Sequence, residues 1–214
     1  GGNFVFLKRA DRYTYDGNAT GRRTAEEYEY AETPQLGNIT KLTQLGEVDL
    51  TSGADIGTDK RTVETVYGNN TSGPWLVGFP QCVKVRDQAG ALVKESRFYY
   101  DGATSYTSLP TKGFLTQEWR WAGSATGAVH PTTTYTYDVY GNLLTTKDPK
   151  GSMTTISYDA ALGIFPLETR NALGHKVIIE YYGVNGVLLN DGNGLKGLFG
   201  QVKSTTDANG QKEL

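Results

Sequence analysis

Four aspartates, Asp138, Asp148, Asp159 and Asp207, are the residues of this chain whose type and recurrence most invite chemistry. Two carboxylates held a few ångströms apart can serve as acid and base in glycoside hydrolysis. Their neighbours argue for another use. Asp138-Val139-Tyr140-Gly141 and Asp148-Pro149-Lys150-Gly151 each open on an acid and close on glycine, and the second has proline at its second position, which is the preference of a type I turn. An acid at the first position accepts hydrogen bonds from nearby backbone N–H groups. The turn reading displaces the catalytic one, and no residue is assigned a catalytic role.

The remaining candidates have plainer readings too. His130 and His175 stand apart, with no second histidine or cysteine at metal-ligand spacing, so no metal site is read and no cofactor is implied. Cys82, the single cysteine, lies in the alternation Cys82-Val83-Lys84-Val85 and reads as a buried structural thiol. Trp119 and Trp121 share one face of a strand and form a candidate glycan-stacking pair, with inward packing as the better account. Asp191-Gly192-Asn193-Gly194 lacks the alternating acids of a calcium loop and reads as a flexible turn. Asn18-Ala19-Thr20, Asn38-Ile39-Thr40 and the overlapping words from Asn69 to Ser72 are glycosylation sequons, meaningful only in a eukaryotic secretory route.

Corners need strands between them. Turn-opening residues fall at Asp138, Asp148, Asp159 and Asn171, steps of 10, 11 and 12 that mark short antiparallel strands. Two steps make a unit of about 21 to 23 residues, a spacing at which repeats are expected. Asn171-Ala172-Leu173-Gly174 and Asp207-Ala208-Asn209-Gly210 continue the series, and Asp87-Gln88-Ala89-Gly90 anticipates it. The flanks are rich in threonine, tyrosine and aliphatic residues, which favour pleated structure. Strands are expected over 3–15, 26–30, 38–50, 61–67, 81–86, 91–100 and 114–121, with 51–60 and 68–80 as long loops. No segment shows a helical apolar period. The expected fold is all-β: antiparallel hairpin repeats in an open, curved sheet of about a dozen strands, degenerate over residues 1–130 and more regular over 131–214.

Composition agrees. The 214 residues are 37% hydrophobic and include 27 glycines and 14 tyrosines. This suits a sheet that is wet on at least one side, with tyrosines stacked ring on ring and their hydroxyls turned to water. The net charge of −2, without a basic run, argues against a nucleic-acid partner. No apolar run reaches the roughly 20 residues of a membrane-spanning helix. The chain opens on Gly1-Gly2 rather than methionine, and a piece of a larger protein is expected.

One word recurs at the strand ends: Tyr137-Asp138, Tyr158-Asp159, Tyr100-Asp101 and Tyr15-Asp16. Together with Gly141-Asn142, Asp148-Pro149-Lys150-Gly151, Thr154-Thr155 and the stretch from Phe165 to His175, it resembles the Rhs or YD-repeat family of bacterial shell proteins. That family includes the B components of insecticidal ABC toxin complexes and is related to the teneurin shells. The resemblance is good over residues 130–210 and weak before them. It implies a β-ribbon wound as a spiral into a hollow shell, non-enzymatic in this stretch. The residues it makes structural are Tyr137, Asp138, Gly141, Asp148, Pro149, Gly151, Tyr158, Asp159, Asn171 and Gly174. Implied partners are other repeats of the same larger protein, edge-to-edge copies and an enclosed toxin domain, in a secreted or cell-surface bacterial setting. The self-cleaving core segment of some family members is not found here, so no protease role is carried over. The alternative reading is a surface adhesin or glycan-binding module using Trp119 and Trp121.

Overall fold

A computed structural model describes residues 5–17, 20–31, 36–125, 128–190 and 197–214. Among them there are strands and turns but no helix. The chain divides into two compact units, 1–131 and 132–214.

The first unit is a meander of seven strands: β1 (Arg9–Thr14), β2 (Arg22–Tyr30), β3 (Ile39–Val48), β4 (Arg61–Asn70), β5 (Leu76–Arg86), β6 (Leu92–Tyr100) and β7 (Leu115–Arg120). Each pairs antiparallel with the next. The second unit repeats the plan with β8 (Thr132–Tyr137), β9 (Leu143–Lys147), β10 (Met153–Tyr158), β11 (Pro166–Arg170), β12 (Lys176–Tyr181), β13 (Val202–Thr206) and β14 (Lys212–Glu213). Its neighbours in sequence are again its neighbours in space. Neither meander closes on itself: β1 pairs with β2 alone and β14 with β13 alone among the described residues. Seven strands at about 4.8 Å spacing make each meander about 29 Å wide.

The expected architecture is therefore present, with boundary corrections. Residues 68–80 are not one loop, because β4 runs to Asn70 and β5 begins at Leu76. Gly68, Gly78 and Pro80 disguise these ends, and Pro80 sits at a bulge, where a strand tolerates a missing N–H. At the start of the chain, β1 is confined to Arg9–Thr14, shorter than the strand expected over 3–15. The turn expected from Asp191 to Gly194, the Gly1-Gly2 start and part of the first sequon lie outside the described residues.

Few side chains are fully buried. Ala25, Leu45 and Val48 form a small cluster in the first unit, and Tyr181, Tyr182 and Val184 are buried in the second. A single layer of hairpins has no second sheet to bury a face against. Its stability must come from the ladders and from whatever locks the hairpins at their ends.

Candidate functional site

The recurring feature is a joint built by tyrosine. In six hairpins, one step along the even strand faces two along the odd strand that follows, so that strand carries one extra residue. The facing pairs are Tyr30 with Ile39, Tyr67 with Pro80 and Tyr100 with Leu115. In the second unit they are Tyr137 with Leu143, Tyr158 with Pro166 and Tyr181 with Val202. The extra residues are Thr40, Gln81, Thr116, Leu144, Leu167 and Lys203. Every even strand that has a successor in its own unit thus places a tyrosine opposite a bulge.

The hydroxyls show why the residue is tyrosine. Tyr67 donates to the Ile39 carbonyl at 3.0 Å, Tyr100 to the Pro80 carbonyl at 2.9 Å and Tyr158 to the Leu143 carbonyl at 3.3 Å. Ile39, Pro80 and Leu143 are the residues that face the preceding tyrosine across its own bulge. Each of these three joints therefore reaches back and ties the one before it. A bulge disrupts the ladder locally, and the phenol supplies a donor there. Tyr30 begins the series by donating to the Leu7 carbonyl at 3.0 Å.

These four hydroxyls do not turn to water, as the sequence reading had it, because each has a carbonyl within reach. Nor do the bulge tyrosines stack on one another in the described contacts. Tyr30, Tyr100 and Tyr181 meet Phe6, Phe79 and Phe165 instead, with centroids 4.7, 5.3 and 5.1 Å apart. Burial pushes the Tyr100 phenol up to about 12.

The aspartate of the Tyr-Asp word closes the joint. At Asp138 the carboxylate accepts the Tyr140 and Asn142 backbone N–H groups, both at 2.9 Å, and the Asn142 amide at 2.8 Å. The Asn142 amide also donates to the Gly163 carbonyl, linking this corner to the next. At Asp159, which is buried, the carboxylate accepts the N–H groups of Leu162, Ile164 and Phe165 at 2.7, 3.0 and 2.9 Å. At Asp101, residues Thr111, Lys112, Gly113 and Phe114 all donate backbone N–H groups to one carboxylate, at 2.6 to 3.1 Å.

All three carboxyls lie below the usual carboxylate range. At Asp101 and Asp138 partial burial pushes upward, and the donated hydrogen bonds outweigh it. At Asp159 the Phe165 N–H is the largest cause. Three or more of the roughly four acceptor positions of each carboxylate face donors of the chain segment that follows it, which is what holding a turn requires.

The opposite ends of the hairpins carry tighter corners of one pattern. At Asp87, Asp148, Asn171 and Asp207, the side-chain oxygen accepts the backbone N–H groups two and four residues on, at 2.8 to 3.0 Å. The backbone adds two more bonds, one from the glycine N–H to the carbonyl of the first residue. The glycines Gly90, Gly141, Gly151, Gly174 and Gly210 have φ of +81° to +92°, the left-handed position that ends a type I turn with a bulge. Pro149 occupies the second turn position, where its fixed φ suits the turn. Asp159 differs from the tight corner anticipated, since it opens a seven-residue connection, 159–165.

The other candidates are dispersed. Trp119 is covered by the Arg97 guanidinium at 4.3 Å and packs against His130 at 4.6 Å, while Trp121 lies just past the end of β7. Arg97 also lies over the Tyr106 ring at 4.9 Å and is fixed by Glu95 at 2.7 Å. Cys82 is buried with its thiol 3.7 Å from Glu95, and burial raises its pKa. His175 is exposed. The sequence reading did not single out Tyr100 and Asp101 as a site. Their Tyr-Asp word was the available signal, masked because the partners of Asp101 lie 10 to 13 residues on.

The chain matches no protein-family profile and no curated protein sequence. Among solved structures it is similar to a chain of TcdB2-TccC3-Cdc42, at 15% identity over 93% of this chain and 10% of that one, TM-score 0.36. A porin-like protein from Bacteroides uniformis is similar at 14% identity, over 96% of this chain and 93% of that one, TM-score 0.31. The Photorhabdus luminescens Tc holotoxin pore, carrying a TccC3 variant, is similar at 14% identity, over 97% of this chain and 14% of that one, TM-score 0.23. The chain thus spans about a tenth of the first of these.

Proposed function

We propose that this chain is a stretch of Rhs/YD-type shell wall whose task is mechanical: to encapsulate or present a toxin or effector domain as part of a larger, exported bacterial protein. The observation that carries this is the use of the Tyr-Asp words. The tyrosines of three of these words, Tyr100, Tyr137 and Tyr158, face a bulge; Tyr100 and Tyr158, like Tyr67, lock the preceding joint, and the acid after each of the three holds the turn that follows. The residue types that suggest chemistry are consumed in joints that repeat, as an extensible wall requires and an active site does not. The chain is accordingly read as non-enzymatic.

Even all fourteen strands side by side, at about 4.8 Å spacing, would give only about 60 Å of sheet, short of the roughly 100 Å around a 100-residue cargo of about 17 Å radius, so closure requires further repeats. Cryo-electron microscopy of the protein encoded by the complete gene tests the reading. The expected particle is a hollow shell with this chain in its wall and density inside. A solid particle, or this chain folded as a separate domain outside any enclosure, overturns it. A glycan array tests the adhesin alternative, and specific binding lost on Trp121→Ala decides for it.

A further inference from the structure

The first unit carries a groove that none of the joints uses. It lies over β1, β2 and β3 and has a volume of about 690 Å³, and its lining includes Arg12, Thr24, Glu26 and Gln44 with the small residues Ala10 and Gly46. Ligand sites typically measure roughly 300–1,000 Å³. Register sets the four polar side chains on one face. Arg12 is opposite Thr24, Ala10 is opposite Glu26, and Glu26 is opposite Gln44. Arg12 and Glu26 are thus diagonal neighbours, within reach of long side chains.

Glu26 is fixed in place. Its carboxylate accepts the Tyr28 hydroxyl at 2.7 Å and the Gln44 amide at 3.1 Å. These two bonds, with Arg12 adding to them, hold its pKa below the usual carboxylate range. About two of the roughly four acceptor positions of a carboxylate remain open there. Arg12 is exposed and makes no hydrogen bond or ion pair among the described residues, whereas Arg9 and Arg23 nearby are both tied to Asp11. Arg61, opposite Gln44 on β4, is unpaired in the same way. The Asp59 carboxylate lies against Gly46, and Arg22 and Glu47 neutralise each other at 3.1 Å. The bases Arg12 and Arg61 are therefore balanced by the acids Glu26 and Asp59.

Such a balance favours neither an anion nor a cation. It suits the hydroxyl, which donates to a carboxylate and accepts from a guanidinium at the same time. Adjacent hydroxyls on one ring can engage both groups together. We propose that this groove binds a neutral saccharide, with Glu26 accepting from one ring hydroxyl, Arg12 donating to the next, and Gln44 and Thr24 serving the remaining polar groups. Ala10 and Gly46 leave room for the ring. The site needs no tryptophan platform, and Trp119 is in any case covered by Arg97.

A glycan array probed with the 214-residue chain, biotinylated and displayed on streptavidin, tests this, and calorimetry then follows the strongest glycan found. Neutral oligosaccharides are expected to bind, and Glu26→Gln and Arg12→Gln should each weaken that binding at least about tenfold, since each removes a charge-assisted hydrogen bond. Glutamine at 26 can still accept the Tyr28 hydroxyl, and Arg12 is exposed, so both variants should fold, which circular dichroism checks. An array without a bound glycan overturns the proposal, as does binding confined to acidic glycans. Binding that both variants retain overturns it too, including binding that Trp121→Ala abolishes. The outcome is independent of whether the complete protein is a shell.

Discussion

Asp101 offers the sharpest perturbation, because one carboxylate organises the whole connection from β6 to β7. It receives four backbone N–H groups, and its own backbone sits at φ +55°. Removing the carboxylate strands four donors in a partly buried loop. At about 0.5–1.5 kcal/mol net per hydrogen bond, less what water restores, Asp101→Ala should cost about 3–4 kcal/mol. Alanine also fits the left-handed region poorly, so Asp101→Gly should cost about 1 kcal/mol less than alanine. Asparagine tolerates that region and keeps one acceptor oxygen, so Asp101→Asn should cost only about 1–2 kcal/mol. Trp75, Trp119 and Trp121 all lie in the first unit, so tryptophan fluorescence in a urea titration reads its unfolding selectively. The order Ala, Gly, Asn from worst to mildest is the expected outcome. An alanine variant within 0.5 kcal/mol of the parent, or an asparagine variant as damaging as alanine, refutes the reasoning.

Other expectations follow from the same joints. Tyr100 titrates at about 12 against about 10 in an unfolded chain, so the stability it contributes is complete below pH 10 and lost between about pH 10 and 12. Tyr100→Phe should remove that alkaline component while costing about 1 kcal/mol at neutral pH for the Pro80 carbonyl left without its donor, as pH-dependent melts would show. The Asp101, Asp138 and Asp159 carboxyls lie below their unfolded values. Their contribution is therefore present above about pH 4 and lost as pH falls further, and an acid titration followed by circular dichroism should show the loss. Asp138→Ala should lower the melting temperature of the second unit. Asp138→Asn should restore most of it, because one oxygen can still accept the Tyr140 and Asn142 N–H groups. Cys82 should react with a thiol reagent at pH 8 only after denaturant is added, since it is buried and its thiol is pushed up.

What the sequence made legible was local. A corner such as Asp148-Pro149-Lys150-Gly151 is closed by four residues and their immediate neighbours, so its letters suffice to place it. The threonine- and tyrosine-rich flanks then had to be strands. The tyrosine joints were hidden because their chemistry is not local. Tyr67 reaches 28 residues back, Tyr100 reaches 20 and Tyr158 reaches 15, and no spacing rule points to a bulge carbonyl at that range. The strand ends around Gly68 and Pro80 were hidden for a related reason. Residues disfavoured in a regular ladder are at home where a bulge interrupts it. Packing was the better account of Trp119 from the letters, but nothing in them shows that Arg97 lies on its ring.

The central claim is that the acids of the Tyr-Asp words hold backbone, and hydrogen–deuterium exchange resolved to single amides tests it most directly. The amides of Thr111 to Phe114, Tyr140, Asn142, Leu162, Ile164 and Phe165 lie in connections rather than strands, yet each is donated to an aspartate. They are predicted to exchange at least tenfold more slowly than the amides of Val139 and Ala160 beside them. Asp101→Ala should release the first group alone, and Asp138→Ala should release Tyr140 and Asn142 alone. Uniformly fast exchange across these connections in the parent protein would contradict the account.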